Sequence, residues 1–92
     1  MTPEKIKENV DRYIAELSKY GISARKINSK YTFGSQPKEN ILAHAMYLCK
    51  NIQDFIFDSK QWDKVNRHYA AIQMCLSFAH WYTLDQLREH NK

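Results

Sequence analysis

The sequence predicts an all-α protein: a small antiparallel helical bundle of three main helices plus a short C-terminal helix. Three observations predict it. Apolar residues recur every three to four positions over three long stretches, the spacing that gathers them on one side of a helix. Two glycines and two prolines among 92 residues are too few for a turn-rich β fold or a disordered chain. Hydrophobic residues make up 43% and charged residues 26%, the balance of a folded protein. A chain of this length reads as one domain, residues 1–92, and buries about 60–65% of its unfolded surface, so its core is limited.

The first helix is expected over residues 3–20. Thr2 is placed to accept a hydrogen bond from a first-turn amide, and Pro3 suits the first helical position because it has no amide to leave unpaired. Ile6, Val10, Tyr13, Ile14, Leu17 and Tyr20 form one stripe. Gly21 supplies a left-handed stop, and Ile22 is positioned to fold back onto the last turn. Residues 21–36, GISARKINSKYTFGSQ, form a connector, with one short helical turn expected near 24–28 and a brief extended stretch at 31–33. A connector this long inside a small domain is often functional.

The second helix is expected over 37–57, where Ile41, Leu42, Ala45, Leu48, Cys49, Ile52, Phe55 and Ile56 share a sector about 140° wide. Asp58 or Ser59 then caps a third helix over 60–82. Its residues Trp62, Val65, Tyr69, Ile72, Leu76 and Ala79 alternate by three and four as a heptad seam. So short a break makes the second and third helices an antiparallel hairpin. Thr83, with Gln86 three residues later, forms a capping-box pattern for the short fourth helix, and Tyr82 and Leu87 flank that cap as a hydrophobic staple.

The third helix carries more apolar surface than its hairpin mate covers. Projected at about 100° per residue from Trp62, the seam occupies roughly 260° to 0°, while Met74, Phe78 and Trp81 fall between about 100° and 160°. Ala71 and Tyr82 extend that second side, and Arg67 borders it. Two opposed faces need two covers. Either helix one closes the second face in a three-helix bundle, or Arg67, Ala71, Met74, Phe78, Trp81 and Tyr82 form an interface for a second copy of the chain or a partner protein. Tryptophan, phenylalanine and methionine bordered by arginine is the composition of interface hot regions.

The net charge of +4 is local. No acid lies between Glu16 and Glu39, an interval holding Lys19, Arg25, Lys26, Lys30 and Lys38, while the rest of the chain carries nine basic against ten acidic residues. Tyr20, Tyr31 and Phe33 are interleaved with these cations. Cations that contact phosphate beside aromatics that stack on bases are the pattern of single-strand nucleic-acid binders. A solvated loop, or the docking of an acidic protein surface, accounts for the same residues. The connector 21–38 therefore stands as the alternative site.

No glycine-rich phosphate loop, HExxH helix or GxSxG turn occurs, and no nucleophile–base pair is recognisable. His68 and Cys75 share a helix face but stand about 10.5 Å apart along its axis, too far to share a metal with ligands near 2 Å. The chain therefore reads as non-enzymatic, with no cofactor and no metal. Cys49 and Cys75 fall in apolar helical patterns and read as free buried thiols of a reducing cytosol, with a disulfide between their helices as the alternative. No apolar run reaches the roughly 18 residues of a membrane span, and Thr2-Pro3-Glu4-Lys5 after Met1 reads as a helix start, not a secretion signal.

From Trp62 onward, Asn66, Arg67, His68, Ile72, Gln73, Leu76, Tyr82, Thr83, Leu84, Asp85, Leu87, Arg88, His90 and Asn91 form a pattern. Over about a third of the chain it resembles a group of small phage-encoded helical proteins that end in a long helix followed by a short capped one. Ala70-Ala71 and Met74-Cys75 stand where that group carries glycine and a larger aromatic. The resemblance implies a phage accessory protein acting in the bacterial cytoplasm on a host protein or a defence complex.

Overall fold

Local chemistry at the helix ends decides the architecture, which a computed structural model describes for all residues 1–92. Helix α1 (Pro3–Lys19) starts where Thr2 Oγ1 accepts the Lys5 amide at 3.1 Å. It stops in a Schellman turn. Gly21 takes φ 77°, its amide donates to the Ser18 carbonyl, and the Ile22 amide donates to the Leu17 carbonyl, both at 3.0 Å. Ile22 then packs against the core. Tyr20, expected on the buried stripe, is 66% exposed and stands edge-on to Trp81 with ring centroids 5.1 Å apart.

The connector forms no helical turn at 24–28. The amides such a turn would use are taken by α2 (Lys38–Ile52): Arg25 donates to the Ala43 carbonyl at 3.0 Å, and Ile27 donates to His44 Nδ1 at 3.1 Å. Phe33–Ser35 is a 3-10 turn, not part of an extended stretch. Ser35 closes it by donating amide and hydroxyl to the Thr32 carbonyl.

Helix α2 ends five residues earlier than its apolar spacing predicts. Beyond Ile52 the amides of Asp54 and Phe55 donate three residues back, to Asn51 and Ile52, both at 3.1 Å. These tighter turns keep Phe55 and Ile56 buried, which is why the spacing continues past the helix. Asp58 Oδ1 accepts the Lys60 amide at 3.0 Å and opens a 3-10 turn (Ser59–Gln61) leading into α3 (Trp62–Phe78).

Helix α3 stops four residues before the expected position. His80 adopts φ 62°, its amide donates to the Ser77 carbonyl at 3.0 Å, and the Trp81 amide donates to the Leu76 carbonyl at 2.8 Å. This is a second Schellman turn, with histidine where glycine is usual. A side chain in the left-handed region costs energy that glycine avoids. Relief of a left-handed penalty of about 1–2 kcal/mol is offset by about 0.4–1 kcal/mol for the freer unfolded glycine chain. His80→Gly is therefore expected to stabilise the fold by about 0.5–1 kcal/mol, read as a thermal midpoint a few degrees higher; an unchanged or lower midpoint would refute the assignment of strain to His80. Helix α4 (Leu84–His90) opens with a complete capping box: the Thr83 amide donates to Gln86 Oε1 at 2.8 Å, and the Gln86 amide donates to Thr83 Oγ1 at 3.1 Å.

Helices α2 and α3 pack together as a hairpin, and α1 lies against α2. One cluster of 20 buried residues draws on all four helices, including Ile6, Val10 and Leu17 of α1, Ile41, Met46 and Ile52 of α2, Val65, Ile72 and Leu76 of α3, and Leu87 of α4. The heptad seam is buried from Val65 to Ala79. The three main helices form the expected small bundle, but helix one does not close the opposite flank of α3. Asn9 and Tyr13 of α1 bond to the seam residue Tyr69 and to Gln73 beside it. The flank carrying Met74 and Phe78 stays uncovered, with those side chains 59% and 51% exposed. No helix is long and apolar enough to cross a membrane.

Candidate functional site: an apolar groove beside helix α3

The uncovered flank of α3 is one wall of a groove of about 310 Å³. Ala71, Met74, Cys75 and Phe78 come from α3, His44 from α2 and Phe33 from the connector. Met74 and Phe78, four residues apart, share a ridge of the helix. Ala71, one turn earlier, leaves a notch beside it. Phe33 is carried to the groove by its 3-10 turn, with its ring 5.9 Å from the His44 ring.

His44 holds the far wall. The amide of Ile27 donates to its Nδ1 at 3.1 Å, so that nitrogen keeps its lone pair and the imidazole is neutral. Burial and then the nearby Lys26 charge lower its pKa. The Tyr47 ring stacks on it with centroids 5.9 Å apart. One neutral histidine thus ties the connector to α2 and shapes the groove.

The six side chains expected to form one interface fall into two places. Arg67, Ala71, Met74 and Phe78 remain on the exposed flank of α3. Trp81 and Tyr82 lie beyond the helix end, because the left-handed turn at His80 redirects the chain. They are partly buried against the core and line a separate depression with Glu16, Tyr20, Lys38 and His80. The Tyr82 ring sits 5.7 Å from that of Tyr13.

The five connector cations are also dispersed. Arg25 and Lys26 share a depression with Asn28, Gln36 and Asn40, and Arg25 donates to Asn40 Oδ1. Lys38 belongs to the Trp81 depression, Lys19 ends α1, and Lys30 sits in the turn before Tyr31. None of the five is in an ion pair; the four salt bridges join Lys5–Glu8, Lys7–Asp11, Arg88–Asp85 and Lys92–Glu89.

Sequence reasoning missed a polar clasp that fastens α4 to α1 and α3. Asn9, fully buried, donates through Nδ2 to Tyr69 Oη at 2.8 Å and to the His90 carbonyl at 2.9 Å. Tyr13 Oη lies 2.8 Å from His90 Nδ1, and Tyr69 donates to Asn91 Oδ1 at 2.6 Å. Gln73 Nε2 has three acceptors within reach, Tyr13 Oη at 3.1 Å and Tyr69 Oη and Asn91 Oδ1 at 2.9 Å, and two hydrogens to share among them. Asn91 returns a bond to Gln73 Oε1 at 3.0 Å. Burial raises the pKa of Tyr13 and of Tyr69, so both stay protonated hydroxyls. Asn9 Oδ1 is buried without a hydrogen-bond partner.

Cys49 and Cys75 are free and buried. Burial pushes the Cys49 thiol up to about 12 and the Cys75 thiol up to about 11, so neither supplies a thiolate near neutrality. No group of three or more His, Cys, Asp or Glu side chains comes together.

His44 and His90 set the expected pH response. Both have pKa values lowered first by burial, with Lys26 adding to the effect at His44 and Arg12 and Lys5 at His90. Above the unfolded value of 6.5 both histidines are neutral, folded or unfolded. As pH falls through that value the unfolded chain takes up protons first, so stability is lost with falling pH until the folded groups also titrate. The thermal midpoint is expected to be flat from about pH 8 to 7 and to fall between about pH 6.5 and 5. In His44→Asn/His90→Asn, where an amide oxygen replaces each Nδ1 acceptor, that fall should shrink. An unchanged slope in the double variant would assign it to other groups.

These features define a small all-α protein with one apolar groove and a separately clasped C-terminal helix. Comparison with protein-family models, characterised proteins and solved structures gives no match to the chain.

Proposed function

We propose that this is a non-enzymatic binding protein that seats an apolar surface of another protein chain in the groove beside α3. That chain is a second copy in a homo-oligomer or a host protein. The observation that carries the reading is the joint exposure of Met74 and Phe78 on a wall that no element of the fold covers. Each is about half exposed, so burying the remainder would be worth about 1–1.5 kcal/mol, and clustered exposed apolar side chains of this kind support an interaction surface. The resemblance of the C-terminal third to phage-encoded helical proteins supports a phage accessory role on a host protein or defence complex in the bacterial cytoplasm. Residues of that pattern, Gln73, His90 and Asn91, belong to the clasp. Ala71, Met74 and Cys75, which depart from it, line the groove. The resemblance therefore supports a shared scaffold with a partner surface particular to this chain.

The test is Met74→Glu/Phe78→Glu. Both positions are exposed, so the thermal midpoint should shift by less than about 3 °C. Light scattering and affinity capture from bacterial lysate should show association in the wild type and none in the variant. A monomeric wild type whose captured proteins match those of the variant rules the reading out.

The alternative, nucleic-acid binding through residues 21–38, is favoured by the five cations without ion pairs and by Tyr31, which is 62% exposed beside Lys30. Its signature is oligonucleotide affinity that drops steeply with salt, and no binding at about 50 mM salt rejects it.

A further inference from the structure

We infer that the occupant of the groove is an acidic amphipathic helix of a partner protein and not a second copy of this chain; the inference rests on the docking reading above. Three observations carry it.

The first is size and shape. A volume of about 310 Å³ takes one or two bulky side chains. The ridge of Met74 and Phe78, with Ala70 and Ala71 one turn earlier, lets a neighbouring backbone come close. Anchors spaced by three or four residues on one helix fit such a cleft.

The second is charge. None of the six groove residues is acidic. The connector contains no acid, and Lys26 precedes Ile27, whose amide is bonded to His44 of the groove at 3.1 Å, so its charge acts on that histidine. On α3 the two turns before the groove hold Lys64 and Arg67, and Asp63 is the only acid of the helix. Lys26 and Arg67 are in no ion pair; Lys64 is engaged instead over the Phe55 ring at 4.4 Å. An apolar floor with a cationic rim complements apolar anchors flanked by carboxylates.

The third concerns symmetry. A two-fold dimer through this face sets each patch against itself. It would bring the cationic edge of one copy, with Arg67 and Lys26, against the same cationic edge of the other, a juxtaposition of like charges that works against association. A partner with carboxylates at those places removes that repulsion and gains attraction.

The experiment is fluorescence polarisation with three labelled helical peptides: leucine and phenylalanine anchors four residues apart flanked by glutamates, the same anchors flanked by lysines, and the glutamate peptide with its anchors replaced by alanine. The glutamate-flanked anchored peptide should bind at least about tenfold more tightly than either of the others. Lys26→Glu/Arg67→Glu should reverse the order of the two anchored peptides, and Phe78→Glu should remove binding of both. All three positions are exposed, and an unchanged melting curve separates lost binding from lost folding. Equal binding of the two anchored peptides overturns the acidic partner while leaving apolar docking in place. Dimerisation that depends on Phe78, without peptide binding, makes a second copy the occupant and also leaves docking in place. Binding of the anchor-free peptide as tightly as the anchored one, or tighter binding of a thymidine oligonucleotide, overturns the inference by assigning the cations a role apart from the groove. A monomer that binds none of the probes overturns both the inference and the docking reading.

Discussion

Replacing Tyr13 with alanine is expected to lower the thermal midpoint by about 15 °C or more, and replacing it with phenylalanine by about 5–10 °C. Tyr13 is fully buried and belongs to both the core and the clasp. Removing a buried aromatic ring costs about 3–5 kcal/mol through lost burial and the cavity left behind. A domain of this size has about 5–14 kcal/mol in total. Phenylalanine keeps the ring and deletes only the hydroxyl, which leaves His90 Nδ1 without its partner, while the two Gln73 hydrogens keep Tyr69 Oη and Asn91 Oδ1. An unsatisfied buried polar group costs about 1–3 kcal/mol. Circular dichroism melts of the two variants divide the residue's contribution between packing and hydrogen bonding. A phenylalanine variant as stable as the wild type would show that the clasp contributes nothing through this hydroxyl.

Removal of residues 83–92 is expected to cost about 3–6 kcal/mol, and so to lower the midpoint by roughly 15 °C or more. The helix contributes one buried apolar side chain, Leu87, worth about 1.5–3 kcal/mol. It also supplies partners to Asn9, Tyr13, Tyr69 and Gln73. Without it these polar groups face an opened depression; water restores part of what is lost, which keeps the total below the sum of the separate bonds. Asn91→Ala alone removes the acceptor of Tyr69 and both bonds to Gln73 and should cost about 1–3 kcal/mol. Denaturant titrations of the two variants measure both effects. A truncated chain with wild-type stability would show that α4 rests on the bundle without supporting it.

Much of the fold was legible because the seam of α3 repeats without interruption, and because Thr2, Gly21, Thr83 and Gln86 name their own roles at helix ends. Spacing was misleading where the chain keeps its apolar order but leaves the helix. Phe55 and Ile56 stay buried through tighter turns, so nothing in their positions marks the end of α2. Trp81 and Tyr82 continue the angular pattern of Met74 and Phe78 on paper, yet a reversal at His80 separates them. A histidine in the left-handed region leaves no trace in composition, whereas Gly21 does.

The groove was half legible. Met74, Phe78 and Ala71 follow from projecting α3, but Phe33 and His44 do not, because the connector has no period to project. Its length and aromatic content were the only signals. The clasp was not legible at all. Asn9 and Gln73 look like ordinary polar residues of amphipathic helices and Tyr13 like one more member of the apolar stripe, and the bonds that define them join residues 60 to 81 positions apart.

Those separations bear on how the chain assembles. The α2–α3 hairpin joins neighbours in sequence, so its contacts form after short loop closures. The bonds from Asn9 and Tyr13 to His90 require the two ends of the polypeptide to meet, the largest entropic step the chain offers. The hairpin is therefore expected to form first, with the terminal helices docking onto it late. In the native ensemble α4, tied by one apolar side chain and a few polar bonds, opens first, as a cooperative unit of its own.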